Sequence, residues 1–172
     1  NACWSATRGG AGGASYPTGN DEAYIETGSA KITQGMNNSA FTGTLYVSFD
    51  GSLGDVGTPF TSNCNRITVA RVGAETYLAA ETAVTELNIY DASIASVSWM
   101  SGKATAIYLG ESGLFNMPGG TSDALYSAGM GSIVAGAVAE ANIYDGNHEF
   151  TASVVTMNVY DGFVAVVGKA GI

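Results

Sequence analysis

Charge is scarce in this chain. Only 12% of its 172 residues are Asp, Glu, Lys or Arg, about half the share usual in a soluble domain. Six basic residues face fifteen acidic ones, for a net charge of −9. A nucleic-acid binder needs a cationic surface to neutralise phosphates and release their counterions. That class is excluded. Histidine occurs once, as His148, which rules out a His-rich metal site and a two-histidine relay. No apolar run approaches the 18 or so residues of a membrane helix. The longest, Ile133 to Ala139, is strand-sized and contains Gly136. Gly-x-Ser-x-Gly is absent, and with it the usual sign of an exposed serine nucleophile.

What the chain does have is apolar residues, 46% of the total, and 24 glycines. Disordered chains are poor in the former and rich in charge, so a packed core is expected. With so few charges, the surface falls to Ser, Thr, Asn, Gly and Ala, as in many extracellular all-β proteins. The chain starts at Asn1 without Met, as chains do after a signal peptide is removed, so an extracellular or cell-surface location is expected. The only two cysteines, Cys3 and Cys64, would then meet an oxidising compartment. A Cys3–Cys64 disulfide is expected, closing a loop of about sixty residues worth roughly 4 kcal/mol.

The tetrapeptide Asn-(Ile/Val)-Tyr-Asp occurs at Asn88–Asp91, Asn142–Asp145 and Asn158–Asp161. Two copies continue into Asp145-Gly146 and Asp161-Gly162, and Asp50-Gly51 breaks a third strand-like run. Asp-Gly after a β-rich run is a strong hairpin signal, because the turn needs positive φ. Alternation such as Arg66-Ile67-Thr68-Val69-Ala70-Arg71 reads as half-buried strand. Ala74 to Ala83 allows one or two helical turns. These features predict an all-β domain at residues 22–172: an antiparallel β-sandwich or jelly roll of about 9–11 short strands. Residues 1–21 form an extended Gly-rich N-terminal arm. A parallel β-helix is the alternative. It calls for a fixed repeat length, whereas the three tetrapeptides lie 54 and 16 residues apart.

Chemistry is thin along the chain, and no catalytic, cofactor or metal residue is singled out. His148 follows Asp145-Gly146-Asn147 at an expected hairpin tip. Eight glutamates supply many carboxylate pairs and no discrimination among them. Asp50-Gly51-Ser52-Leu53-Gly54-Asp55 resembles a calcium loop only faintly, lacking EF-hand spacing. Asn37-Asn38-Ser39 is an N-glycosylation sequon, with Asn37 as acceptor. The tyrosines of the repeated motif, or Trp4, Trp99 and Tyr126, could stack on sugar rings.

The expected function is a structural protein rather than an enzyme: a homopolymer subunit of an extracellular filament, pilus-like or a biofilm-matrix fibril. Copies of the chain would be its partners, joined by donor-strand or arm exchange through the N-terminal arm or the apolar C-terminal stretch. A virion capsid or decoration protein, or a secreted glycan-binding module, are the alternatives.

Overall fold

The computed structural model describes residues 17–26, 28–33, 35 and 41–167. Every strand-to-strand pairing among them is parallel. The antiparallel sandwich or jelly roll is therefore overturned. The chain winds as a parallel β-solenoid of about eight coils. No helix long and apolar enough to cross a membrane occurs among the described residues.

Coil 1 carries β1 (Glu22–Ile25) and β2 (Lys31–Ile32). Coil 2 carries β3 (Thr44–Ser48), β4 (Ser52–Leu53) and β5 (Phe60–Thr61). Coil 3 has β6 (Arg66–Arg71) and β7 (Thr76–Ala79), a strand where helical turns were expected. Coils 4 and 5 are single long strands, β8 (Val84–Ser101) and β9 (Lys103–Met117), which serve both faces in turn. Coil 6 holds β10 (Thr121–Ala128) and β11 (Gly131–Val134), and coil 7 holds β12 (Val138–Asp145) and β13 (Asn147–Phe150). Coil 8 is β14 (Val154–Val159) and β15 (Phe163–Val166).

One face runs β1-β3-β6-β8-β9-β10-β12-β14, and the other ends β9-β11-β13-β15. Inward positions of the first face stack in register as Ala23, Leu45, Ile67, Leu87, Ile107, Leu125, Ala141 and Met157. A second inward row runs Ile25, Val47, Val69, Ile89, Leu109, Ser127, Ile143 and Val159. From coil 2 to coil 7 these residues are buried. Stacking like on like removes their apolar area from water, the main favourable term in folding.

The register explains why no fixed period is visible. Glu22, Thr44 and Arg66 succeed each other at 22-residue steps. Glu86 and Ala106 follow at steps of 20, Ala124 at 18, and Glu140 and Thr156 at 16. Each coil drops residues from its corners while the strands keep alignment. Asn88, Tyr108, Tyr126, Asn142 and Asn158 occupy one row. The steps of 20, 18 and 16 between them span the 54 residues that separate the first two tetrapeptides. The motif marks one position on coils 4, 7 and 8.

The Asp-Gly pairs make corners rather than hairpins. Gly146 and Gly162 do have positive φ, +98° and +90°, and each N–H donates to the Oδ1 of the preceding Asp145 or Asp161, at 2.6 and 2.7 Å. The strand that follows, however, continues around the coil and pairs with the coil below. At Asp50-Gly51 the chain bends from β3 into β4 without positive φ at Gly51.

Candidate functional site

Ion pairs fasten adjacent coils along the outside. Lys31 Nζ lies 2.6 Å from Asp55 Oδ2, Arg66 Nε 2.7 Å from Glu86 Oε2, and Lys103 Nζ 2.8 Å from Asp123 Oδ2. Arg71 pairs with Asp50. Lys31 holds the Asp55 carboxyl below its usual range through that hydrogen bond, and Glu86 raises Arg66 in the same way. Asp50 and Asp55, the carboxylates of the loop that resembles a calcium site, are thus each engaged by a different cation. No group of three or more metal-ligating side chains occurs among the described residues.

Two neighbouring aromatic and amide rows run up the outside of the first face, Tyr144 and Tyr160 lying in the second. Tyr24 stacks on Tyr46 with ring centroids 4.9 Å apart, Tyr108 on Tyr126 at 5.0 Å, and Tyr144 on Tyr160 at 4.9 Å, all within 11° of parallel. Between coils 7 and 8, Asn158 Nδ2 donates to Asn142 Oδ1 at 2.9 Å. In-register stacking of this kind stiffens a solenoid, as amide and aromatic ladders do in stacked β assemblies. Stacked rings spend faces on each other and turn edges and hydroxyls outward. Trp99, a candidate for a sugar platform, is fully buried and donates Nε1–H to Gly102 O at 3.2 Å. Trp4 lies outside the described residues.

Cys64 is a buried free thiol, in contact with Ser62 Oγ and Arg66 O at 3.2 Å each. The disulfide expected from sequence is therefore corrected at Cys64, whose sulfur packs in the core of coil 3; Cys3 lies outside the described residues. So do the sequon acceptor Asn37 and residues 1–16 of the arm. Burial pushes the Cys64 thiol above its ordinary pKa, and the thiolate is the reactive form. Iodoacetamide at neutral pH is expected to leave Cys64 unlabelled in the folded protein and to label it fully in denaturant, scored on the Cys64 peptide by mass spectrometry. Labelling at equal rates in both conditions contradicts the burial.

The last coil differs from the others. Met157 and Val159 continue the two inward rows of the first face, and Val164 and Val166 continue those of the second. Yet Val159 is 49% and Val166 56% exposed, and Phe163 and Val167 are more exposed still. Tyr160 N–H donates to Ile143 O, so by strand alternation the backbone groups of Met157 and Val159 point away from coil 7. Phe163 and Val167 donate to Gly146 O and Phe150 O, which leaves Val164 and Val166 directed the same way. Between Glu149 and Val167 the only charged residue is Asp161. Proline, lysine and inward charge are the usual devices that blunt a sheet edge. β14 and β15 have none of them.

The apolar C-terminal stretch, Phe150 to Ile172, has the composition of a strand central to a sheet. The structure puts β14 and β15 at the edge instead. Ser132 and His148, 16 residues apart in sequence, meet inside the core with Ser132 Oγ 2.7 Å from His148 Nδ1, a contact made only through the coil step. The chain matches no known protein family, and comparison with curated proteins and with solved structures likewise finds no match.

Proposed function

We propose that this chain is a structural subunit of an extracellular filament, built from copies of itself that join at the ends of the solenoid. The observation that carries the reading is coil 8, an apolar edge whose two strands carry no charge, with a row of outward-directed backbone groups on two sheets. A solenoid grows by adding coils, and each added coil pairs the groups the last one left open. A second copy is a ready supplier of such a coil. Joining at coil ends replaces exchange of a strand into an incomplete sandwich, for which this fold has no sandwich to complete. Head-to-tail repetition of a contact that does not close gives a fibre.

Two further features support a structural role. Asp50, Asp55, Glu86 and Asp123 are engaged in ion pairs between coils. The tyrosine pairs, which a sugar-binding module would need to present by their faces, stack on each other. The extracellular setting rests on composition: little charge and a surface of small polar residues.

Val159→Lys and Met157→Lys test the contact. Each places an ammonium at the open edge and lowers the magnitude of the net charge, so added repulsion between copies is not the variable. Sedimentation velocity of the wild-type protein is expected to show species far above 17.5 kDa. Both variants are expected to sediment near that mass with unchanged β circular dichroism. Wild-type protein that stays monomeric at every concentration sinks the assembly reading. Variants that assemble as well as wild type move the contact away from coil 8.

A further inference from the structure

Two polar side chains interrupt the apolar interior of the second face at coils 6 and 7. Ser132 on β11 and His148 on β13 stand one above the other in register, with Phe115 of β9 below and Val164 of β15 above. Each is 1% exposed. Ser132 Oγ lies 2.7 Å from His148 Nδ1, and His148 Nε2 lies 2.8 Å from the backbone oxygen of Asp145. A carbonyl only accepts, so Nε2 carries the hydrogen and donates it. Nδ1 is then the acceptor, and the Ser132 hydroxyl donates to it. Both ring nitrogens of the neutral imidazole are satisfied inside the core.

A second proton undoes this arrangement. Nδ1–H would need an acceptor, so the Ser132 hydroxyl would have to turn and find another partner for its own hydrogen. The imidazolium would also sit among apolar rungs, where burial outweighs the attraction of the Asp145 carboxylate nearby. Gly131–Val134 of β11 and Phe163–Val166 of β15 contain no titratable residue, nor does Leu114–Met117 of β9. On β13 itself Glu149 alternates to the opposite side from His148. Asp145, at the end of β12, directs its Oδ1 to the Gly146 N–H.

We infer that the Ser132–His148 pair is an acid-sensitive latch: neutral, it holds coils 6, 7 and 8 in register, and protonated, it releases the last coils. Coil 8 is the part free to yield, since among the described residues only coil 7 pairs with it. Burial lowers the affinity of His148 for a proton from its ordinary value of 6.5. The unfolded or opened chain therefore binds a proton near pH 6.5 while the closed coil does not. The latch contributes fully above that pH and weakens as pH falls below it.

His148 is the sole histidine of the sequence, so its ring proton can be followed by NMR without assignment ambiguity. Amide exchange across Val154–Val166, corrected for intrinsic rates, is measured on the same samples from pH 7.5 to 5. The opening constant of coil 8 is expected to rise about tenfold per pH unit below pH 6.5, the slope for one coupled proton, and to level off once His148 of the closed coil itself titrates. In His148→Gln the rise should vanish, while amides of coils 3 and 4 follow one profile in both proteins. A histidine that titrates at or above 6.5, or a coil 8 profile identical in wild type and His148→Gln, overturns the latch. Should His148→Gln fail to fold, the wild-type titration decides alone: coil 8 exchange that stays flat between pH 6.5 and the histidine transition also overturns it. The latch is independent of whether coil 8 meets a second copy.

Discussion

Trp99→Ala is expected to be the most damaging single substitution in the body of the solenoid, costing about 3–5 kcal/mol. Trp99 is the largest fully buried side chain. It sits on β8 directly above Leu78 of the coil below, and on its other side the Cδ1 of its indole comes within 1.9 Å of where a Cβ on Gly120 would be. The ring therefore fills the corner across coils 3 to 6, and truncation leaves a cavity that neither neighbour can reach without moving its strand. Loss of the indole N–H also leaves Gly102 O with the Thr121 N–H as its remaining donor. Trp99→Phe keeps most of the volume and should recover more than half of the loss. Urea denaturation of the three proteins measures it. A Trp99→Ala midpoint within error of wild type contradicts the packing at this corner.

The second large effect is expected from Gly136→Ala. An added Cβ would lie 1.8 Å from Gly120 O and 3.0 Å from Met117 Cε. The first of these is backbone of the coil below, which cannot swing aside as a side chain can. Coil 7 must lift off coil 6 at that corner, and overpacking of this kind costs about 1–3 kcal/mol when side chains can yield. Here about 3 kcal/mol or more is expected, together with faster amide exchange in β12. Gly57→Ala is the matched control, since nothing lies within 4 Å of its Cβ and its φ is not positive. It should leave stability within about 0.5 kcal/mol of wild type. Equal effects at Gly57 and Gly136 would contradict the close approach of coils 6 and 7.

These two sites also show what was legible in the sequence. The chain reads as all-β from its alternation and turn residues, and the positive-φ Asp-Gly positions at Gly146 and Gly162 are where they were expected. Strand direction was not legible. A half-buried strand alternates in the same way whether its neighbour is parallel or antiparallel, and an Asp-Gly corner looks like a hairpin until its partner strand is known. The regular step that announces a solenoid was masked, because coils shorten from 22 to 16 residues. Asn88 and Asn142 are three coils apart, Asn142 and Asn158 only one. A fixed period fails, while the row they share is continuous.

The candidate site was legible in part. The apolar run around Val154 to Val167 carried the right signal, an unprotected strand, but its place at the end of the stack depends on the winding. Cys64 pointed to a bridge by composition; its burial beside Ser62 in coil 3 is a packing fact that no count of cysteines reveals. His148 looked like an exposed tip residue, since Asp145-Gly146-Asn147 precedes it. Inward alternation from Asn147 onward puts it in the core.

Fibre diffraction from aligned, concentrated protein tests the central claim most directly. If copies join at coil ends, strands run across the filament and coil spacing repeats along it. A strong meridional reflection at about 4.8 Å is then predicted, with loss of filaments in Val159→Lys. Protein that never assembles, or filaments whose strands lie along the axis and place that reflection on the equator, would contradict the account.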